Sequence, residues 1–185
     1  NDQGLFVLLS VQDDKWVEDA DDERLYLYDS IEIFLAPERG GDDFCQWVIS
    51  PGIDPEQESL RTRFINHRKD ERLKSLPAGP TAARNRTKDG CILEAVLPFG
   101  ALAIRPEVGR EIAFQVWIND ADAASGRKTS YSAAFYPDDR TWGDTRLMHR
   151  IRLMKQGGPR LELRTGSRYD WEMMQMVVNV AGRRE

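Results

Sequence analysis

Asp29-Ser30-Ile31-Glu32-Ile33-Phe34-Leu35 and Phe114-Gln115-Val116-Trp117-Ile118-Asn119 are the two stretches that decide the fold. In an extended chain successive side chains point to opposite faces, so Ile31, Ile33 and Leu35 share one face of the first stretch. Ser30, Glu32 and Phe34 share the other. The second stretch repeats the arrangement, with Phe114, Val116 and Ile118 on one side and Gln115, Trp117 and Asn119 on the other. Each reads as a strand with one apolar face for a core and one polar face that carries an aromatic ring.

Similar runs recur outward from these two, at Leu5 to Val11, Phe44 to Ile49, Cys91 to Leu97, Ser130 to Phe135, Leu147 to Met154 and Leu161 to Arg164. Turn residues separate them, Asp89-Gly90 before the Cys91 run and Pro98-Phe99-Gly100 after it, and no helical period competes. The spacing predicts an all-β fold, a two-sheet antiparallel β-sandwich of immunoglobulin-like or jelly-roll-like type. Residues 1–154 read as the sandwich, and 155–185 as an extension whose Met173 to Val180 run is an edge strand or the start of a following segment. Asp54 to Lys88, polar and rich in arginine and lysine, reads as a solvated excursion between strands. The chain lacks an initial Met and enters strand-like sequence at once. It reads as a fragment with upstream residues missing, and any export signal would lie in that missing part.

The 185 residues suffice for one core. Charged residues make up 31% and the formal net charge is −5, which argues against a nucleic-acid partner, because phosphate binding needs a cationic surface. No apolar run approaches the ~20 residues of a membrane span. Two cysteines, Cys45 and Cys91, are too few for a disulfide framework, and the sequon Asn85-Arg86-Thr87 matters only in a glycosylating pathway.

The outward set of Glu32, Gln115, Trp117 and Asn119 is the chemistry a sugar site uses. Carboxylates and amides exchange hydrogen bonds with hydroxyls, and aromatic rings stack on the C–H face of a pyranose. A solvated strand face would look the same by periodicity alone. The ordered set GLFVLLSVQDD, YLYDSIEIFLAP, DDFCQWVISP, DGCILEAVLPFGAL, GREIAFQVWINDAD and TWGDTRLMHRIRL is more specific. It resembles the family 9 carbohydrate-binding modules, β-sandwich domains often joined to polysaccharide enzymes. The resemblance implies that a sugar end is held between two aromatic rings, here Tyr26 and Trp142. It also implies a carboxylate at Glu32, an Asn119-Asp120-Ala121 turn followed by a basic residue at Arg127, and a third-strand site position at Trp47, where the family has arginine. The Phe44 to Ile49 strand does not itself say which face is core. The family register turns Trp47, and Cys45 with it, outward beside Glu32 and Gln115, so that Cys45 and inward-facing Cys91 are not expected to pair.

The expected function is therefore carbohydrate recognition without catalysis, in a secreted, surface or periplasmic protein fused to or associated with other domains. No cofactor is required. The resembling family can carry structural calcium, and the acidic loop places Asp13, Asp14, Asp19 and Asp21 as its ligands, though without EF-hand spacing. Zinc has little support, since His67 and His149 are distant and no Cys-x-x-Cys exists. A haem-binding electron-transfer sandwich would use His149 and Met148, but neighbours on a strand point to opposite faces. A glycosidase would need two carboxylates across a cleft, and nothing sets Glu32 and Glu94 on one sheet. The remaining alternative is a scaffold or interaction sandwich whose site has eroded.

Overall fold

The computed structural model describes residues 4–67, 69, 80–100, 103–122, 130–133, 143–153, 161–166 and 175–180. The strands are β1 (Gly4–Gln12), β2 (Ser30–Ala36), β3 (Cys45–Ser50), β4 (Arg61–Asn66), β5 (Thr81–Thr87) and β6 (Gly90–Pro98). They are followed by β7 (Glu111–Asp120), β8 (Ser130–Ala133), β9 (His149–Arg152), β10 (Leu161–Gly166) and β11 (Gln175–Val180). A 3-10 turn at Leu25–Leu27 precedes β2. One sheet runs β10-β11-β1-β6-β5 and the other β4-β3-β2-β7-β8, with β9 also on β7; every pairing is antiparallel.

Alternation makes the core. Leu5, Val7, Leu9 and Val11 of β1 and Cys91, Leu93, Ala95 and Leu97 of β6 meet Ile31, Ile33 and Leu35 of β2 and Ile112, Phe114, Val116 and Ile118 of β7. Each large aliphatic or aromatic side chain so buried contributes about 1.5–3 kcal/mol. Gly90 has φ 155°, and a Cβ there would stand 2.0 Å from the Val11 carbonyl oxygen, so position 90 of the Asp89-Gly90 turn admits no side chain.

The Asp54 to Lys88 region is not an excursion: it contains β4 and β5, which form one edge of each sheet. Their polar composition hid them, because an edge strand is expected to carry charge. The charge is used. Arg84 on β5 donates to the carbonyls of Pro51, Gly52 (3.1 Å) and Glu58 (2.7 Å), and Arg86 to Gly52 (2.5 Å), tying the edge of one sheet to the loop after β3 in the other. At the far end, β11 pairs with β1 through Leu8 and Asn179, so the run in the tail joins the sandwich as part of a sheet.

Trp47 faces inward. Its cross-strand partners are Ile33 on β2 and Phe64 on β4, it is 1% exposed, and it belongs to the core cluster with Cys45 and Ile49. Paired residues share a face, so β2, whose inner face is fixed by three large aliphatics, dictates that of β3. Cys45 and Cys91 therefore both lie buried in the same core, and the expectation of opposite faces fails. Burial pushes the Cys91 thiol up to about 11.

Candidate functional site

The outward face of the β4-β3-β2-β7 sheet forms a grid in which each row is fixed by the pairing register. From the top the rows read Arg61, Ser50, Ser30, Asn119; then Arg63, Val48, Glu32, Trp117; then Ile65, Gln46, Phe34, Gln115. The lower part is apolar. Phe34, Ala36, Phe44, Ala113, Trp117 and Met148 form a second buried cluster, with the Phe34 and Trp117 rings 5.3 Å apart at 57°. The segment from Gly143 to Met148 lies against it: Gly143 has φ 72°, and a Cβ there would meet the Phe44 ring at 3.3 Å. Thr145 links this segment to the β2–β3 connection, accepting from Gly40 N at 3.0 Å and donating to Gly41 O at 2.6 Å.

The upper part is a polar network. Glu32 is 2% exposed, and its carboxylate accepts from Gln46 Nε2 at 2.5 Å and from Asn119 Nδ2 at 2.6 Å. Asn119 Nδ2 also donates to Ser30 Oγ at 2.9 Å, and the Ser30 hydroxyl donates to Tyr28 O at 3.1 Å. His67 Nε2 stands 2.9 Å from Gln46 Oε1. Buried polar groups need partners, and here they supply one another across three strands, β2, β3 and β7, and the residue that follows β4. Gln115 differs: it is fully buried, yet neither atom of its amide has a hydrogen-bond partner among the described residues.

Leu25 is buried in the 3-10 turn, which packs on β2 and β3 and leaves Tyr26 37% exposed. Tyr28 is buried, with the Arg24 guanidinium over its ring and donating to its hydroxyl at 3.2 Å. Arg63 and Arg61 reach from β4 to the same connection, Arg63 to Glu23 and Arg61 to the carbonyl of Asp19 and the carboxylate of Asp22. Thus guanidinium groups do stand on this face, one strand beyond Trp47.

Of the residues expected in the site, Glu32, Asn119, Gln115 and Trp117 fall on the outward face, and Tyr26 stands exposed in the 3-10 turn before β2. Trp117 is 3% exposed and packed on Phe34, which makes it a wall of the apolar cluster and not an open stacking platform. Trp47 is core. Arg127 and Trp142 lie outside the described residues. Gln46 and His67 were missed. Period two already put Gln46 on the face opposite to that of Trp47, so once Trp47 is core the amide must face outward.

The acidic loop divides in the same way. Asp13, Asp29 and Asp120, from the ends of β1, β2 and β7, bring carboxylate oxygens within 4.8 Å of one another. Burial pushes Asp13 up to about 7 and Asp29 up to about 8, backbone hydrogen bonds opposing and neighbouring carboxylates adding to the rise. Asp29 accepts from Val17 N and, at 2.6 Å, from Ala121 N. Asp14, Asp19 and Asp21 are elsewhere: Asp14 is exposed, Asp19 pairs with Arg24 at 3.3 Å, and Asp21 accepts from Glu23 N at 2.9 Å. Glu18 is a separate buried anchor, accepting from the Ser50 hydroxyl and from the backbone N–H of Gly52 (2.9 Å), Ile53 (2.6 Å) and Asp54 (3.2 Å).

Met148 lies in the outward cluster, whereas His149 pairs with core-facing Phe114, so the two fall on opposite faces as alternation demands. Glu94 is exposed on β6 of the other sheet, so Glu32 and Glu94 stand on opposite sides of the sandwich.

The family model described as carbohydrate family 9 binding domain-like matches residues 1–156. The chain belongs to that family. Among solved structures, this family 9 domain is similar to a carbohydrate-binding module family 9 from Caldicellulosiruptor kristjanssonii in complex with cellotriose. That match has 22% identity and a TM-score of 0.62, over 84% of this chain and 72% of the other. The same organism's family 9 module in complex with glucose matches at 21% identity and a TM-score of 0.61, over 85% and 75% of the two chains. At these identities the likeness establishes a shared fold. A search of curated proteins finds no match.

Proposed function

We propose that this family 9 domain holds the end of a glucan, of the class represented by glucose and cellotriose, at the outward face of the β4-β3-β2-β7 sheet. The observation that carries the reading is Glu32, a buried carboxylate fixed on two sides by the Gln46 and Asn119 amides, on the outward face of the sheet whose strands β2 and β3 carry the 3-10 turn with exposed Tyr26. Each carboxylate oxygen has more than one acceptor site, so an oxygen already bonded to an amide can still receive a sugar hydroxyl. Gln115, buried without partners among the described residues, supports it as a further amide for a hydroxyl or a bridging water. Trp142 would supply the second ring, and Arg127 a basic donor. No step of bond cleavage is assigned, because the face carries no second carboxylate placed against Glu32 among the described residues.

Titration calorimetry with cellotriose and glucose tests the reading. Saturable binding is expected, with Tyr26→Ala and Trp142→Ala each weakening it by about 1–3 kcal/mol, the range for a ring anchoring a small site. A second reading, an interaction scaffold with an eroded site, is favoured by one observation: Ser30, Glu32, Gln46, Gln115, Trp117 and Asn119 are all 4% exposed or less. Absence of binding across a glycan panel would select it.

The fold family implies calcium, and the donor set fits: Asp13, Asp29 and Asp120 offer hard oxygens from three strand ends at one point. A cation there would neutralise carboxylates that otherwise take up protons, and would tie β1 of one sheet to β2 and β7 of the other. We place the domain outside the cytoplasm, at the cell surface or in the periplasm, joined to partners that act on polysaccharide. No helix among the described residues is long and apolar enough to cross a membrane.

A further inference from the structure

The polar network does not end at Gln46. His67, the residue after β4, donates its backbone N–H to Phe44 O at 3.0 Å and lays its imidazole flat on the Phe44 ring, with centroids 4.4 Å apart and planes 15° apart. In that pose Nε2 is 2.9 Å from Gln46 Oε1, while Gln46 Nε2 is 2.5 Å from Glu32 Oε2. Chemistry then assigns each proton. Both Glu32 oxygens accept from amide NH2 groups, so Gln46 turns its NH2 to Glu32; the amide atom left facing the imidazole is a carbonyl oxygen, which only accepts; His67 Nε2 must carry the hydrogen. Burial holds the His67 pKa below the ordinary histidine value, so the ring is neutral near pH 7 and this hydrogen is its sole N–H.

We propose that His67 is a positioning residue of the sugar site, locking the Gln46 amide through Nε2–H so that Gln46 and Asn119 clamp the Glu32 carboxylate from both sides. The inference rests on the sugar-binding reading above. With both flanks held, the acceptor directions that Glu32 offers to ligand hydroxyls are set before the ligand arrives, and little ordering is lost on binding. Without the imidazole donor, Gln46 Oε1 is left buried and unpaired at a side chain only 4% exposed. The amide then gains by rotating toward any other donor, which releases Glu32.

Two readouts test this. In the wild-type protein, long-range 15N–1H correlation of the imidazole should show the Nε2–H tautomer for His67; the Nδ1–H tautomer would overturn the proposal with no ligand needed. Cellotriose titrated into wild type, His67→Phe and His67→Gln reads the consequence. The phenylalanine ring keeps the stack on Phe44 and removes the donor, so Kd should rise about tenfold, the size of one lost hydrogen bond. Glutamine restores an N–H of comparable reach and should return Kd to within about threefold of wild type, which a role in packing alone would not do. A folded His67→Phe protein that binds as tightly as wild type, or a glutamine variant no better than phenylalanine, would overturn it. Failure of the wild type to bind cellotriose or glucose refutes the sugar reading instead, and the tautomer still decides what His67 does to Gln46.

Discussion

Replacing Glu32 by glutamine exchanges one acceptor oxygen for an NH2 group at a side chain that is only 2% exposed. In the native face two donors, Gln46 Nε2 at 2.5 Å and Asn119 Nδ2 at 2.6 Å, meet two carboxylate oxygens. The substituted amide, with a single oxygen, can satisfy only one of them as they stand. The network has one way to recover: Gln46 turns over, gives Oε1 to the new NH2 and presents its own NH2 to His67 Nε2, which must shift its hydrogen to Nδ1 in order to accept. Every partner is then restored, but two charge-assisted bonds have become neutral, a loss of about 1 kcal/mol each, partly offset because a neutral amide is cheaper to bury. The expected net loss is about 1–2 kcal/mol. Glu32→Ala, which takes the carboxylate acceptor from both Gln46 Nε2 and Asn119 Nδ2 and supplies nothing in its place, should cost more, about 3 kcal/mol. Urea unfolding followed by tryptophan fluorescence measures both losses, and imidazole 15N spectra report the tautomer. Refutation would be a Glu32→Gln protein of wild-type stability whose His67 keeps its native tautomer, since neither half of the reasoning would then hold.

Glu18→Ala removes the acceptor for three backbone N–H groups and the Ser50 hydroxyl at once, so a loss of about 3 kcal/mol or more is expected in the same unfolding assay. A loss below about 1 kcal/mol would mean that water replaces the carboxylate. The third prediction concerns Asp13 and Asp29, whose folded values of about 7 and about 8 lie above the unfolded 3.8. Between roughly pH 4 and 8 the folded state then binds more protons than the unfolded one, so in chelator the melting temperature should fall as pH rises through this window. Added calcium should remove most of that fall, and Asp29→Asn most of the calcium effect. A melting temperature indifferent to calcium at pH 8 would show that the three carboxylates hold no cation.

The alternation of β2 and β7 is written in the residues: Ile31, Ile33 and Leu35, like Phe114, Val116 and Ile118, can face only a core, and that fixes the polar set of Ser30, Glu32 and Asn119 on the other side. The Asp89-Gly90 turn is equally local, because its signal is two adjacent residues and Gly90 takes a φ of 155° that side chains rarely adopt. Strand β3 was not decided in this way, since Cys45, Trp47 and Ile49 alternate with Gln46, Val48 and Ser50 and either set could be buried. Pairing of Trp47 with Ile33 settles it, and turns Gln46 to the site. Strands β4 and β5 were illegible because an edge strand is stabilised through its partner and not by its own apolar pattern. The carboxylate cluster and the His67–Gln46–Glu32–Asn119 chain lie furthest from sequence, since Asp13 and Asp120, or Glu32 and Asn119, are brought together only when strands close across the sandwich or within a sheet. Period two is set by the backbone of a single strand, whereas which groups share a proton or a charge depends on which strands become neighbours, and that is decided by the burial of the whole core.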